Sequence, residues 1–205
     1  MKHSAPRLPK RRAVRLGLVL TPVLAVAVGT SVIWQTSYAA FTATTANGTN
    51  NWQSGGITLT DNDSDGAMFN VTNIKPGQSD TRCITVTAGG SLAAAIKLYG
   101  TGFTQSNALA SSINLVITKG TSTGATFSGC GTFTADTASP TVFSGPLASF
   151  AAATAYTNGY STWTTAGGTT ENRTFKFAYT MDATAPTTTQ NSSAAITFTW
   201  ESQPT

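Results

Sequence analysis

The sequence predicts an all-β chain, a two-sheet antiparallel sandwich, and three observations carry that prediction. Apolar and polar residues alternate over short runs, with Phe175, Phe177, Tyr179 and Met181 set against Lys176, Ala178 and Thr180. This is the period-two pattern of a strand with one buried face. Turn signals separate the runs, Lys75-Pro76-Gly77 and Gly89-Gly90-Ser91 among them, because proline presets φ and glycine accepts the positive φ that tight turns need. No stretch carries the sustained 3.6-residue period of a long amphipathic helix. A sheet that is apolar on one face must bury it against another layer, so short strands without helices imply sheet on sheet.

The chain opens with a leader. Twelve Lys and Arg against eight Asp and Glu give a formal +4, but Lys2, Arg7, Lys10, Arg11, Arg12 and Arg15 all precede the apolar run Leu16 to Trp34. Beyond residue 39 the balance is six basic against eight acidic side chains, a net −2. The basic charge therefore belongs to a secretory signal and not to a nucleic-acid interface. Ser37-Tyr38-Ala39 places small side chains for a signal peptidase to cut between Ala39 and Ala40. Residues 1–39 are read as signal peptide, touching the membrane only until cleavage, and residues 40–205 as one secreted domain, long enough to bury roughly 70% of its unfolded surface.

The mature chain would begin directly in a strand, Ala40-Phe41-Thr42-Ala43-Thr44-Thr45, followed by an Asn47-Gly48 turn. Alternating, uncharged and free of proline, this segment lacks the features that protect a sheet edge. It is expected to pair either with its own sheet or with the edge of a second copy, a head-to-tail contact that repeats into a homopolymer. Ile57 and Leu59 mark the next strand, and Met68 to Ile74, with Phe69 and Val71 on one side, another. Arg82 to Ala88 and Leu92 to Leu98, joined by the glycine-rich turn, read as a central hairpin. Ser106 to Ser112 fits one helical turn, and Ile113, Leu115 and Ile117 one strand face. Val142-Phe143 reads as a short strand, Leu147 to Ala153 as a short helix and Tyr156 to Trp163 as an aromatic loop. Thr174 to Met181 and Ile196 to Trp200 are the last strands.

Candidate chemistry is sparse. Cys83 and Cys130 are the only cysteines, and in a secreted chain they are expected to form a disulfide. Asp61-Asn62-Asp63-Ser64-Asp65-Gly66 resembles the first half of a calcium loop, so Asp61, Asp63 and Asp65 are candidate calcium ligands; the twelfth position is Thr72 and not a bidentate Glu. The single histidine, His3, lies in the leader. A mature chain without histidine offers neither an H-E-x-x-H zinc site nor a Ser-His-Asp relay, and Asp80, Asp136, Glu171, Asp182 and Glu201 show no pairing interval. The reading is therefore not an enzyme and needs no catalytic cofactor. Trp52, Tyr156, Tyr160 and Trp163 are candidates for stacking on sugar rings, which would make the chain a carbohydrate-binding or adhesive module. Asn47, Asn70, Asn172 and Asn191 begin N-x-S/T sequons.

Several short motifs occur in a recognisable order. They are Tyr38-Ala39-Ala40-Phe41, Trp52-Gln53-Ser54-Gly55-Gly56-Ile57-Thr58-Leu59, Asn73-Ile74-Lys75-Pro76-Gly77, Gly90-Ser91-Leu92 and the terminal Ile196 to Gln203. Together they resemble the TasA and camelysin family of secreted proteins. The resemblance implies export through a SipW-type signal peptidase, a jelly-roll sandwich and assembly into extracellular biofilm fibres with copies of itself and other matrix proteins. The family also carries a metallo-endopeptidase label, which stands as the alternative activity. In place of the acidic residue usual after the cleavage-site Phe, this chain has Thr42-Ala43-Thr44.

Overall fold

A computed structural model describes residue 51 and residues 53–205; the expected leader, the Ala39/Ala40 cleavage site, the strand Ala40–Thr45, and Trp52 lie outside the described residues. Gln53–Thr205 forms one compact unit. Its strands are β1 (Ile57–Asp61), β2 (Ser79–Gly90), β3 (Ala94–Gln105), β4 (Ile113–Thr123), β5 (Thr132–Ala135), β6 (Thr141–Pro146), β7 (Tyr160–Thr165), β8 (Glu171–Met181) and β9 (Ala194–Pro204). One four-residue helix, α1 (Leu147–Phe150), follows β6. No described helix is long and apolar enough to cross a membrane.

All pairings are antiparallel. The larger sheet runs β1-β2-β8-β4-β5 with β6 also paired to β4, and the smaller runs β7-β3-β9. The chain changes sheet at β2 to β3, β3 to β4, β6 to β7, β7 to β8 and β8 to β9, giving a jelly-roll-like sandwich. The alternation read from the sequence explains the core. Ile84, Val86 and Ala88 of β2, Leu115 and Ile117 of β4, and Phe175 and Phe177 of β8 are buried from one sheet, facing Ala94, Ile96 and Leu98 of β3. Aromatic pairs stitch the layers, with Phe177 against Phe198 at 4.7 Å and Phe175 against Trp200 at 5.3 Å between ring centroids.

Three expectations are corrected. The predicted hairpin does not form: β2 pairs with β1 and β8, while β3 pairs with β7 and β9. The strands stack across the core instead of lying side by side, and the glycine turn is a corner between sheets. Gly90 sits at φ +115° there, against the Gly56 backbone, and Ser91 N–H donates to Gly56 O at 2.9 Å. Leu92, expected to continue the β3 face, lies in this corner and is 38% exposed. Met68 to Ile74 is not a strand. Phe69 packs edge-on to Tyr179 at 5.2 Å, but Val71 is exposed and Asn73 takes φ +54°, which breaks an extended run. Tyr156 to Trp163 is not a loop: a 3-10 turn, Tyr156–Asn158, leads into β7.

Candidate assembly site

β9 is the last strand of the smaller sheet among the described residues, and its register shows what its free side presents. Thr205 N–H donates to Ala93 O at 3.2 Å, one step beyond the Ala94↔Pro204 pair. In an antiparallel ladder hydrogen-bonded pairs alternate, so odd-numbered residues along this stretch of β9 bond to β3. The even-numbered residues, Ile196, Phe198, Trp200, Ser202 and Pro204, turn their backbone groups to the outer edge. Pro204 there forfeits no ladder bond.

The first three of these even-numbered residues point their side chains at the core. Ile196, Phe198 and Trp200 pack against it yet remain half-buried, whereas Phe175 and Phe177, their partners in the opposite sheet, are fully buried. The indole Nε1 of Trp200 is shielded from solvent and has no hydrogen-bond partner among the described residues. A shielded donor without a partner is costly. The outer face of the strand is, by contrast, well tied. Tyr99 Oη donates to Glu201 Oε2 at 2.8 Å and Gln203 Nε2 to Glu201 Oε1 at 2.9 Å. The bond from Gln203, then that from Tyr99, holds the Glu201 carboxyl below its usual range. Thr101 and Thr199 share a hydroxyl bond of 3.1 Å. β9 is thus firmly held on its β3 side and, among the described residues, has no paired strand on the other.

The remaining sequence candidates occupy other places. Asp61 ends β1, and the turn after it uses its own carboxylates: Asp63 N–H donates to Asp61 Oδ1 at 3.2 Å and Asp65 N–H to Asp63 Oδ1 at 2.8 Å. Ser64 and Asp65 adopt φ of +52° and +62°. Desolvation, followed by the interaction with Asp61, raises the Asp63 carboxyl above its ordinary value. The three aspartates are not gathered as a metal centre; among the described residues no group of three or more His, Cys, Asp or Glu is placed to hold an ion. The turn's unexpected contributor is Asn62, whose Oδ1 accepts the Thr85 N–H at 2.9 Å. Its only sequence signal was its position between two aspartates.

Cys83 and Cys130 are joined as a disulfide, tying β2 to the loop between β4 and β5. The dispersed acids stay dispersed. Asp80 pairs with Arg82 at 2.9 Å, Asp136 lies 3.9 Å from Arg173 and Asp182 caps its own turn through Thr184. Of the aromatics, Trp163 is buried and Tyr160 stacks on Phe150 at 5.3 Å, so both belong to the core. The Tyr156 ring faces Lys97 Nζ at 4.8 Å. Asn70, Asn172 and Asn191 are exposed.

Comparison with known proteins adds one finding. Residues 16–108 match the family described as camelysin metallo-endopeptidase, a span that runs from the apolar run beginning at Leu16 through β1, β2 and β3. No curated protein matches the chain. This similarity and the disulfide are both consistent with an extracellular or surface protein. By the match of residues 16–108, which contains the motifs from Tyr38 to Leu92 in order, this part of the chain is similar to the camelysin family.

Proposed function

We propose that the mature chain is a structural subunit of an extracellular matrix fibre, built by donating Ala40–Thr45 to the β9 edge of the next copy. The observation that carries this reading is the outer side of β9, with outward-facing backbone groups, half-buried Ile196, Phe198 and Trp200, and an indole N–H that lacks a partner among the described residues. An added strand would satisfy each of these. Its backbone continues the ladder, Phe41 and Ala43 extend the apolar layer, and a carbonyl or threonine hydroxyl can accept from Trp200. The segment precedes β1 by enough chain to reach either its own β9 or a neighbour's, since eleven residues span at most roughly 36 Å. Until a signal peptidase frees Ala40, the leader holds the segment at the membrane, which confines polymerisation to the outside of the cell. Other matrix proteins with a similar free strand could occupy the same edge.

The camelysin description names a metallo-endopeptidase. The described residues supply no ligand cluster for that activity, and the mature chain contains no histidine, so the structural role is the better-supported reading. Deleting residues 40–46 tests it. Electron microscopy of the purified mature chain is expected to show filaments and the deletion variant none, with the circular dichroism of the variant still that of a folded β protein. Filaments of equal length and number from both would refute strand donation.

A further inference from the structure

A second unpaired stretch of strand exists in the larger sheet. β1 covers only the Val86–Gly90 end of β2, which leaves the outer side of Ser79–Thr85 without a neighbouring strand among the described residues. Odd-numbered residues face that side, and three of the backbone groups there are occupied by local stand-ins. Thr81 N–H donates to Asp80 Oδ1 at 2.7 Å, Cys83 O accepts from Ser128 N–H at 3.0 Å, and Thr85 N–H donates to Asn62 Oδ1 at 2.9 Å. Ser128 belongs to a tight turn closed by Thr126 and Gly129, with N–H to O distances of 3.2 and 3.0 Å. Cys130, two residues on, fastens this turn to Cys83. The two covers also touch each other: a methyl group at Gly66 would lie 2.8 Å from the Phe127 ring, so the Asp61–Gly66 turn and the Ser128 turn pack as one lid.

We propose that the Cys83–Cys130 disulfide closes a latent self-association edge along Ser79–Thr85, whose occupant, once the lid is released, is the same edge of a second copy. Two identical antiparallel edges complement each other about a two-fold axis, and joining them would continue the larger sheet from one subunit into the next. The segment's only charges, Asp80 and Arg82, neutralise each other at 2.9 Å, so nothing electrostatic keeps two copies apart. Opening requires a dithiol reductant. Its thiolate attacks one cystine sulfur to form a mixed disulfide, and its second thiol then displaces the protein sulfur. Two electrons and two protons pass to Cys83 and Cys130, and the reductant leaves as a cyclic disulfide. Freed of its anchor, the Ser128 turn retains one backbone bond to β2, too little to hold eight residues of loop in place. In the oxidised chain this edge is shut. The proposal rests on β2 and its lid, and not on strand donation.

Sedimentation velocity on the mature chain carrying Thr42→Pro, which disables the donor strand, separates the two ideas. The oxidised protein is expected to be monomeric. After dithiothreitol it should become dimeric with unchanged far-ultraviolet circular dichroism. The same chain with Thr81→Pro should stay monomeric after reduction, because the Thr81 N–H faces the edge and its loss removes no bond to β8. The Cys83→Ser, Cys130→Ser double variant should dimerise without reductant. A folded reduced monomer would overturn the proposal, as would a dimer insensitive to Thr81→Pro, an oxidised chain already dimeric, or reduction that simply unfolds the protein.

Discussion

Ser202→Pro is the substitution that separates the two sides of β9. Ser202 is an even-numbered residue in register with Ile96, so its N–H faces the open edge and bonds to nothing in β3. Proline there should leave the subunit's own stability within about 0.5 kcal/mol. It removes one donor from the acceptor edge and places a ring in the path of an incoming strand. Losing one intermolecular backbone bond alone is worth about 1 kcal/mol, or about a fivefold rise in the concentration at which filaments appear; the steric block adds to that. Thr199→Pro is the control of opposite parity. Its N–H bonds across to Tyr99, so it should destabilise the fold itself by about 1–3 kcal/mol through the lost rung and the stranded carbonyl. Urea denaturation monitored by tryptophan fluorescence gives the first quantity, and light scattering against protein concentration gives the second. If Ser202→Pro melted the subunit while Thr199→Pro did not, the register argument would be reversed. If Ser202→Pro assembled as readily as the parent, β9 would not be the acceptor.

Two further predictions concern stability. The disulfide spans a sequence separation of 47, so on the chain-entropy model its reduction should cost about 4 kcal/mol; with a slope of about 2 kcal/mol/M, the urea midpoint should fall by about 2 M, and a fall of only a few tenths would contradict this. The Asp63 carboxyl titrates above its ordinary value, which means its charged form is disfavoured by folding. That penalty is present above the raised folded value and disappears as pH falls below the ordinary aspartate range. Asp63→Asn keeps the acceptor for the Asp65 N–H, so it should be more stable than the parent at neutral pH and equal to it in acid. A pH-independent difference would refute the sign.

The sequence made the strands of this protein legible but not their partners. Phe175, Phe177, Tyr179 and Met181 announce a buried face by period alone, and Ile84, Val86 and Ala88 do the same, because burial acts on each residue locally. Pairing is a non-local matter. Gly89-Gly90-Ser91 looks like a hairpin turn, but a corner between sheets needs the same glycine freedom, and only the occupancy of β2 by β1 and β8 distinguishes them. Tyr156–Trp163 misled for a related reason, since Tyr160 and Trp163 both turn inward across the bulge at Ile96/Lys97 and the period of two is lost. That β9 ends its sheet among the described residues could not be read from Ile196 to Trp200, because alternation reveals which side chains face the core and is silent about which backbone side has a neighbour. Asn62 was hidden likewise: its contact with Thr85 joins residues 23 apart.

The claim that copies join by seating Ala40–Thr45 on another subunit's β9 is tested most directly by photo-cross-linking from position 41. Mature chain with benzoylphenylalanine in place of Phe41 is assembled as an equal mixture of unlabelled and nitrogen-15-labelled protein, irradiated and mapped by mass spectrometry. The account predicts cross-links to peptides containing residues 194–204, in pairs that mix the two isotopes. Cross-links confined to same-isotope pairs, or mapped to strands other than β9, would contradict it.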